Sequence, residues 1–257
     1  MMRDTLLRIV IGGCILNCVP AFAFLNVESI RMAAEAKEGV TGSLGLKVDG
    51  QSGNSEKFAS ELTTLNLYRR SHSEYLAAGK YRYGESFSRK DAHEGHAHLR
   101  YTHDLPSIPP AWESFVQTEF NEFKRLKRRD VYGTGLRFRL SAAGEKDRFF
   151  LGTGAFYEEE RFTSKAETQD QSTFRGNLYV SYVRALTETV SASVIAYYQP
   201  SLTAFSNTRA QLDSGLQVTL SKRLSLILEY DLQFDNEPAT GVEKTDSTYM
   251  AGLSYTY

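Results

Sequence analysis

Tyr249-Met-Ala-Gly-Leu-Ser-Tyr-Thr-Tyr257 closes the chain on an aromatic residue, with an apolar side chain at every second position before it. Side chains alternate across an extended strand, so Tyr249, Ala251, Leu253, Tyr255 and Tyr257 share one face. Met250, Gly252, Ser254 and Thr256 share the other. A closing strand that is aromatic on one face and small or polar on the other is what bacterial outer-membrane barrels present to their insertion machinery. Tyr249, Leu253, Tyr255 and Tyr257 are therefore the expected insertion signal.

The same period of two recurs upstream. Tyr132, Thr134, Leu136, Phe138 and Leu140 oppose Gly133, Gly135, Arg137 and Arg139. Leu212, Leu216, Val218 and Leu220 oppose Gln211, Asp213, Gln217 and Thr219, and Leu224, Leu226, Leu228, Tyr230, Leu232 and Phe234 oppose Ser225, Glu229, Asp231 and Gln233. A register slip of one residue would carry charge into the apolar surroundings, so register is strongly specified. Segmenting the chain this way predicts strands at 41–51, 56–69, 74–85, 95–104, 112–124, 129–141, 148–159, 173–185, 189–199, 208–220, 223–235 and 246–257. The expected fold is all-β: a transmembrane antiparallel up-and-down β-barrel of about twelve strands, an even number as single-chain bacterial barrels require. Connections at 85–94, 160–172, 200–207 and 235–246 read as longer outer loops, and those at 70–73, 142–146, 186–189 and 221–223 as short periplasmic turns. Fifteen Tyr and fifteen Phe against a single Trp supply residues for interfacial girdles. A soluble periplasmic β-protein is the competing reading, since alternation alone does not say which face meets lipid.

The N-terminal residues 1–23 read as a cleaved signal peptide. Arg3 and Arg8 precede the short apolar run 9–19, and Ala21-Phe22-Ala23 matches a small-x-small cleavage site. That run falls short of the roughly 20 apolar residues a membrane-spanning helix needs. Residues 24–39 then form an N-terminal periplasmic segment, either a short helix or a strap at the barrel mouth or a disordered leader, and 40–257 form the barrel. Both cysteines, Cys14 and Cys18, lie inside the leader, so the mature chain offers neither disulfide nor thiolate. It would carry 28 basic and 30 acidic side chains, a balance that implies no nucleic-acid or other polyionic partner.

Several motifs resemble a known family. Gly50-Gln-Ser-Gly-Asn54, His98-Leu-Arg-Tyr101, Arg129-Asp-Val-Tyr-Gly-Thr-Gly-Leu-Arg-Phe-Arg139, Tyr197-Tyr-Gln-Pro200 and Gly252-Leu-Ser-Tyr-Thr-Tyr257 are similar, in this order, to the family called domain of unknown function 481. Its YdiY-like members are often labelled salt-induced outer-membrane proteins. The resemblance implies a barrel in the outer membrane of a Gram-negative bacterium, with no established activity and no catalytic residues to carry over.

Periodicity places Arg100, Glu119, Arg137, Arg139, Arg209, Asp213, Glu229 and Asp231 on the polar, lumen-lining face. Both signs are present, so these side chains either interlock as ion pairs or line a water-filled pore. His96 and His98, at i and i+2 on that face, could chelate a borderline metal or act as a charge switch, against the plainer reading of polar filler; Arg100 beside them disfavours a bound cation. The expectation is no resident cofactor and no metal. The basic run 123–129 sits at an expected outer hairpin tip, where Lys124, Arg125, Lys127 and Arg128 could contact lipopolysaccharide phosphates. An outer-membrane lipid or lipopolysaccharide hydrolase would need a nucleophile such as Ser86 or Ser88 beside the histidines, and no spacing singles one out. The reading is a non-enzymatic barrel, partnered by membrane lipid and the insertion machinery, acting as a narrow channel or an envelope-stabilising protein. Oligomeric state is not legible.

Overall fold

In the computed structural model, residues 38–53, 56–105, 110–141, 147–163 and 169–257 are described. The expected signal peptide and most of the 24–39 segment lie outside them. Twelve strands follow one another: β1 (Gly39–Gln51), β2 (Lys57–Arg70), β3 (Ser73–Ser86), β4 (Arg89–Asp104), β5 (Ala111–Asn121) and β6 (Leu126–Arg139) in the first half. β7 (Asp147–Phe162), β8 (Gln171–Ala185), β9 (Val190–Pro200), β10 (Thr208–Thr219), β11 (Leu224–Asp235) and β12 (Thr245–Thr256) complete it. Each pairs antiparallel with its sequence neighbours, and β1 pairs with β12 to close the barrel. Pairing of the first strand with the last leaves neither as a free edge strand, the arrangement by which strands span hydrocarbon.

The closing seam is short, running from Ser43↔Thr256 to Leu46↔Leu253. Tyr257 extends it by exchanging backbone hydrogen bonds with Gly42, and its hydroxyl donates to Asn66 Oδ1 on β2 at 2.6 Å. A Cβ at Gly42 would collide with the Tyr257 ring, so glycine there admits the terminal aromatic. Tyr249, Leu253, Tyr255 and Tyr257 all stand exposed on the outside of the cylinder.

The pleat sorts the side chains. Leu44, Leu46, Val116, Leu178, Val194, Leu228 and Tyr230 are exposed on the exterior, around the whole circumference. The residues alternating with them point inward and are buried or half-buried. In hydrocarbon, each such aliphatic side chain is worth ~1.5–3 kcal/mol relative to water; in water the same surface would be an aggregation liability. The conventional apolar core is small: Leu65, Leu67, Leu76 and Ala78 cluster inside the barrel on β2 and β3.

Two expectations are corrected. The connection expected at 85–94 is a two-residue turn, Phe87-Ser88, with β4 starting at Arg89. Both turn residues have positive φ, 49° and 57°, the mirror-image turn that matches strand twist without the usual Asn-Gly signature. Arg89-Lys90-Asp91 shows no apolar alternation, which is why it read as loop. The basic run 123–129 lies at the expected hairpin, its first three residues in the 122–125 turn and the rest opening β6. β5 ends at Asn121, whose Oδ1 accepts the backbone N–H groups of Phe123 and Lys124, each at 2.8 Å, and β6 resumes at Leu126. Bulges between Glu119 and Asn121 and between Leu126 and Arg128 re-aim the side chains around this hairpin. Loop length also fails to divide the two ends cleanly, since the short 87–88 turn lies at the end opposite the chain termini, where the longer loops were expected.

Candidate functional site: the barrel lumen

The inward faces of β6, β7, β8 and β10 bring three guanidinium groups onto one carboxylate. Glu158 Oε2 accepts Arg129 Nε at 2.8 Å, its Oε1 accepts Arg175 Nε at 2.5 Å, and Arg209 Nη1 reaches both oxygens at 3.1 and 3.0 Å. Arg129 also donates to Glu119 at 2.9 Å, and Arg209 to Glu160 at 3.0 Å and to Asp235 at 2.8 Å. Glu158 and Arg175 are each 1% exposed. Desolvating such charges is tolerable only because nearly every lone pair and N–H finds an opposite partner.

A second strut crosses the lumen between β5 and β8. Tyr179 donates its hydroxyl to Glu113 Oε2 at 2.5 Å, while Arg137 and Arg100 stand 3.6 and 3.8 Å from Glu113 Oε1. Arg137 also stacks on the Phe150 ring, 3.9 Å from its centroid. A third group joins β1, β2, β3, β4 and β11: Lys47 holds Glu61 at 2.8 Å and Glu229 at 2.5 Å, and Lys80 lies 3.5 Å from Glu61 and 3.6 Å from Glu94. Between these groups the interior retains cavities of about 50 Å³. A larger one, about 120 Å³, lies at the mouth opposite the chain termini, under the β11–β12 loop. Arg125 latches that loop by donating to the Thr240 carbonyl at 2.6 Å, and the loop's own Ala239 is buried.

Of the residues expected to line the lumen, Arg100, Glu119, Arg137, Arg209, Asp213, Glu229 and Asp231 point inward; Arg139 sits exposed at the rim, near Phe150. Asp213 and Asp231 face each other across the β10–β11 register, both buried, with Gln211 donating to Asp213 at 2.9 Å. His96 and His98 stack with ring centroids 6.2 Å apart. His98 Nε2 accepts Arg100 Nε and its Nδ1 pairs with Gln117 Oε1, both at 3.3 Å, so neither nitrogen keeps a free lone pair for a metal. Among the described residues no three His, Cys, Asp or Glu side chains converge as an ion site. Ser86 donates its hydroxyl to Asp91 at 2.5 Å rather than to a histidine.

The basic hairpin divides. Lys124 pairs with Asp246 at 2.7 Å and Arg125 turns to the β11–β12 loop, while Lys127 and Arg128 remain exposed, Arg128 beside Asp130 at 2.7 Å. Glu122, in the turn, accepts Lys90 Nζ and His93 Nδ1, each at 2.8 Å. The hydrogen bonds from Lys90 first and His93 second hold its carboxyl below the ordinary carboxylate range.

Glu158, Glu113, Arg175, Lys80 and Glu61 escaped sequence reasoning. Glu158 opens a charged run, 158–161, that reads as a strand fraying into loop, and Glu61 and Lys80 lie on strands whose alternation is weak. A shared parity with confident neighbours was the available signal: Arg129 lies two residues before the inward Val131, and Arg175 two before the inward Asn177.

The family model for proteins of unknown function, DUF481, matches residues 43–257. The chain belongs to the DUF481 family. Among the similar solved structures are the NanC porin, at 10% identity over 84% of this chain and 98% of that one with a TM-score of 0.53. The COG4313 outer membrane channel from Pseudomonas putida F1 shows 10% identity over 86% and 95%, TM-score 0.50. The translocator domain of autotransporter NalP from Neisseria meningitidis shows 11% identity over 89% and 93%, TM-score 0.48. No curated protein sequence matches. At such identities the likeness is one of fold: this DUF481 chain has the architecture of outer-membrane barrels.

Proposed function

We propose that this DUF481 protein is an exported, integral outer-membrane barrel that reinforces the envelope, its lumen locked by side-chain ion pairs rather than held open for diffusion. The convergence of Arg129, Arg175 and Arg209 on Glu158 carries the reading. These groups come from four strands, and Arg209 on β10 reaches past β9 and β8 to Glu158 on β7, so the cluster braces the wall from within. A twelve-stranded barrel is intermediate between filled eight-stranded cylinders and open porins, so its contents decide whether solute passes. Here those contents are paired charges. Lys127 and Arg128 at the outer hairpin supply cations for lipopolysaccharide phosphates, the contact expected of an envelope protein.

Purified protein reconstituted in planar bilayers tests this. Locked barrels are electrically silent, with rare flickers at most. Steady, long-lived conductance steps in proportion to inserted protein would establish the narrow channel instead.

A further inference from the structure

The barrel wall is not evenly convex. On the outside of β2–β8 a trough of about 1010 Å³ is sunk into the surface. Its origin lies in two adjacent register rows. The lower row runs Tyr68, Tyr75, Tyr101 and then Ser114, Thr134, Ala155, each directly opposite the next on the neighbouring strand. Bulk therefore drops sharply halfway along it. In the row above, the trend reverses, from Ala77 to Val116, Tyr132, Tyr157 and Phe174. Large rings thus overhang a floor of small residues, and Trp112 closes the lower side, its Nε1 donating to Thr134 Oγ1 at 2.8 Å.

The end of the trough nearest the chain termini has a distinct chemistry. One row below Tyr68, Tyr75 and Tyr101 come Arg70, Ser73 and His103. Arg70 is exposed and has no ion-pair partner among the described residues. It stands at the level where aromatic residues give way to headgroups.

We propose that this trough seats the acyl chains of an anionic phospholipid of the periplasmic leaflet, with Arg70 holding the headgroup phosphate. The proposal rests on the outer-membrane reading above, which makes this face a lipid contact and puts the termini on the periplasmic side. A second copy of the chain fits less well. A two-fold dimer apposes the same patch on both subunits, so trough would face trough and leave a void. Flexible acyl chains fill such a recess, and the single unpaired guanidinium at its end matches a phosphate.

Trp112 is the chain's only tryptophan and stands half-exposed at the edge of the trough, so it reports occupancy directly. The protein is reconstituted in phosphatidylcholine vesicles containing increasing fractions of brominated phosphatidylglycerol or brominated phosphatidylcholine, and Trp112 fluorescence is read. Half-quenching should need about fivefold less of the anionic lipid, the gain expected from one basic side chain at an anionic surface. Arg70→Gln should equalise the two lipids, and Ala155→Leu, which fills the floor, should shrink the preference. Equal quenching of the wild type by both lipids, or a preference that survives Arg70→Gln, overturns the proposal. A control reporter, Leu226→Trp in a Trp112→Phe background, separates the remaining outcomes. Quenching at 226 but not at 112 means that protein covers the trough; quenching at neither removes the membrane reading itself.

Discussion

Glu158→Gln removes the charge on which three guanidinium groups converge. Arg129 retains Glu119 and Glu160, and Arg209 retains Glu160 and Asp235, all within 3.6 Å. Among the described residues Arg175 retains only the carbonyl oxygens of Gln199 and Asn207, at 3.3 and 3.4 Å, so it becomes a buried cation without a carboxylate. At an effective dielectric near 20, a charge pair about 4 Å apart carries ~4 kcal/mol before desolvation, and deleting one partner of a buried pair costs ~3–5 kcal/mol net. Because only one of the three cations is stranded, we expect about 3 kcal/mol, the lower end. Urea titration of the barrel in thin bilayers, followed by tryptophan fluorescence and gel mobility, measures it. Glu158→Met combined with Arg175→Met should recover most of the loss, since apolar replacement of both buried partners is often neutral or better. A cost for Glu158→Gln under ~1 kcal/mol, the range of surface pairs, would refute the claim that this cluster braces the barrel.

Facing and pH supply the other expectations. Leu228→Arg, on the exterior near mid-strand, should cost roughly 2–4 kcal/mol in the same titration, and Gln233→Arg, on the inner face, far less; equal losses would contradict the facing. The Lys90–Glu122–His93 clasp involves a carboxylate held below its ordinary value of 4.5, so its contribution is fully present above that value. It is lost as pH falls through the lower folded-state value. Backbone amides of the 122–125 turn should therefore exchange faster, after correction for intrinsic rates, as pH drops below about 4.5, and Glu122→Gln should abolish the change.

Much of the fold was legible because a barrel wall imposes a strict period of two wherever lipid lies outside and charge inside. Leu224–Phe234 and Tyr249–Tyr257 meet that constraint at every position but the inward Ile227 and Met250, which fixes strand and facing together. The constraint lapses where a hairpin carries polar residues on both faces, as at Arg89-Lys90-Asp91, and there the strand was lost to a loop. Inward charges such as Asp213 and Glu229 follow from parity, whereas their partners do not. The approach of Tyr179 to Glu113, or of Lys47 to Glu229, depends on barrel curvature and side-chain reach, which no local pattern encodes. The trough is a property of register rows crossing seven strands, invisible in any one of them.

The most direct test is a nitroxide scan along β11, from Leu224 to Phe234, in reconstituted bilayers. For a lipid-facing wall around a locked interior, oxygen accessibility should peak at Leu224, Leu226, Leu228, Tyr230 and Leu232, while Ser225, Ile227 and Glu229 stay low for oxygen and for a water-soluble nickel chelate alike. Free access of the chelate to those inner positions would mean an open pore, and an accessibility profile without a period of two would mean that this chain does not span a membrane as a barrel.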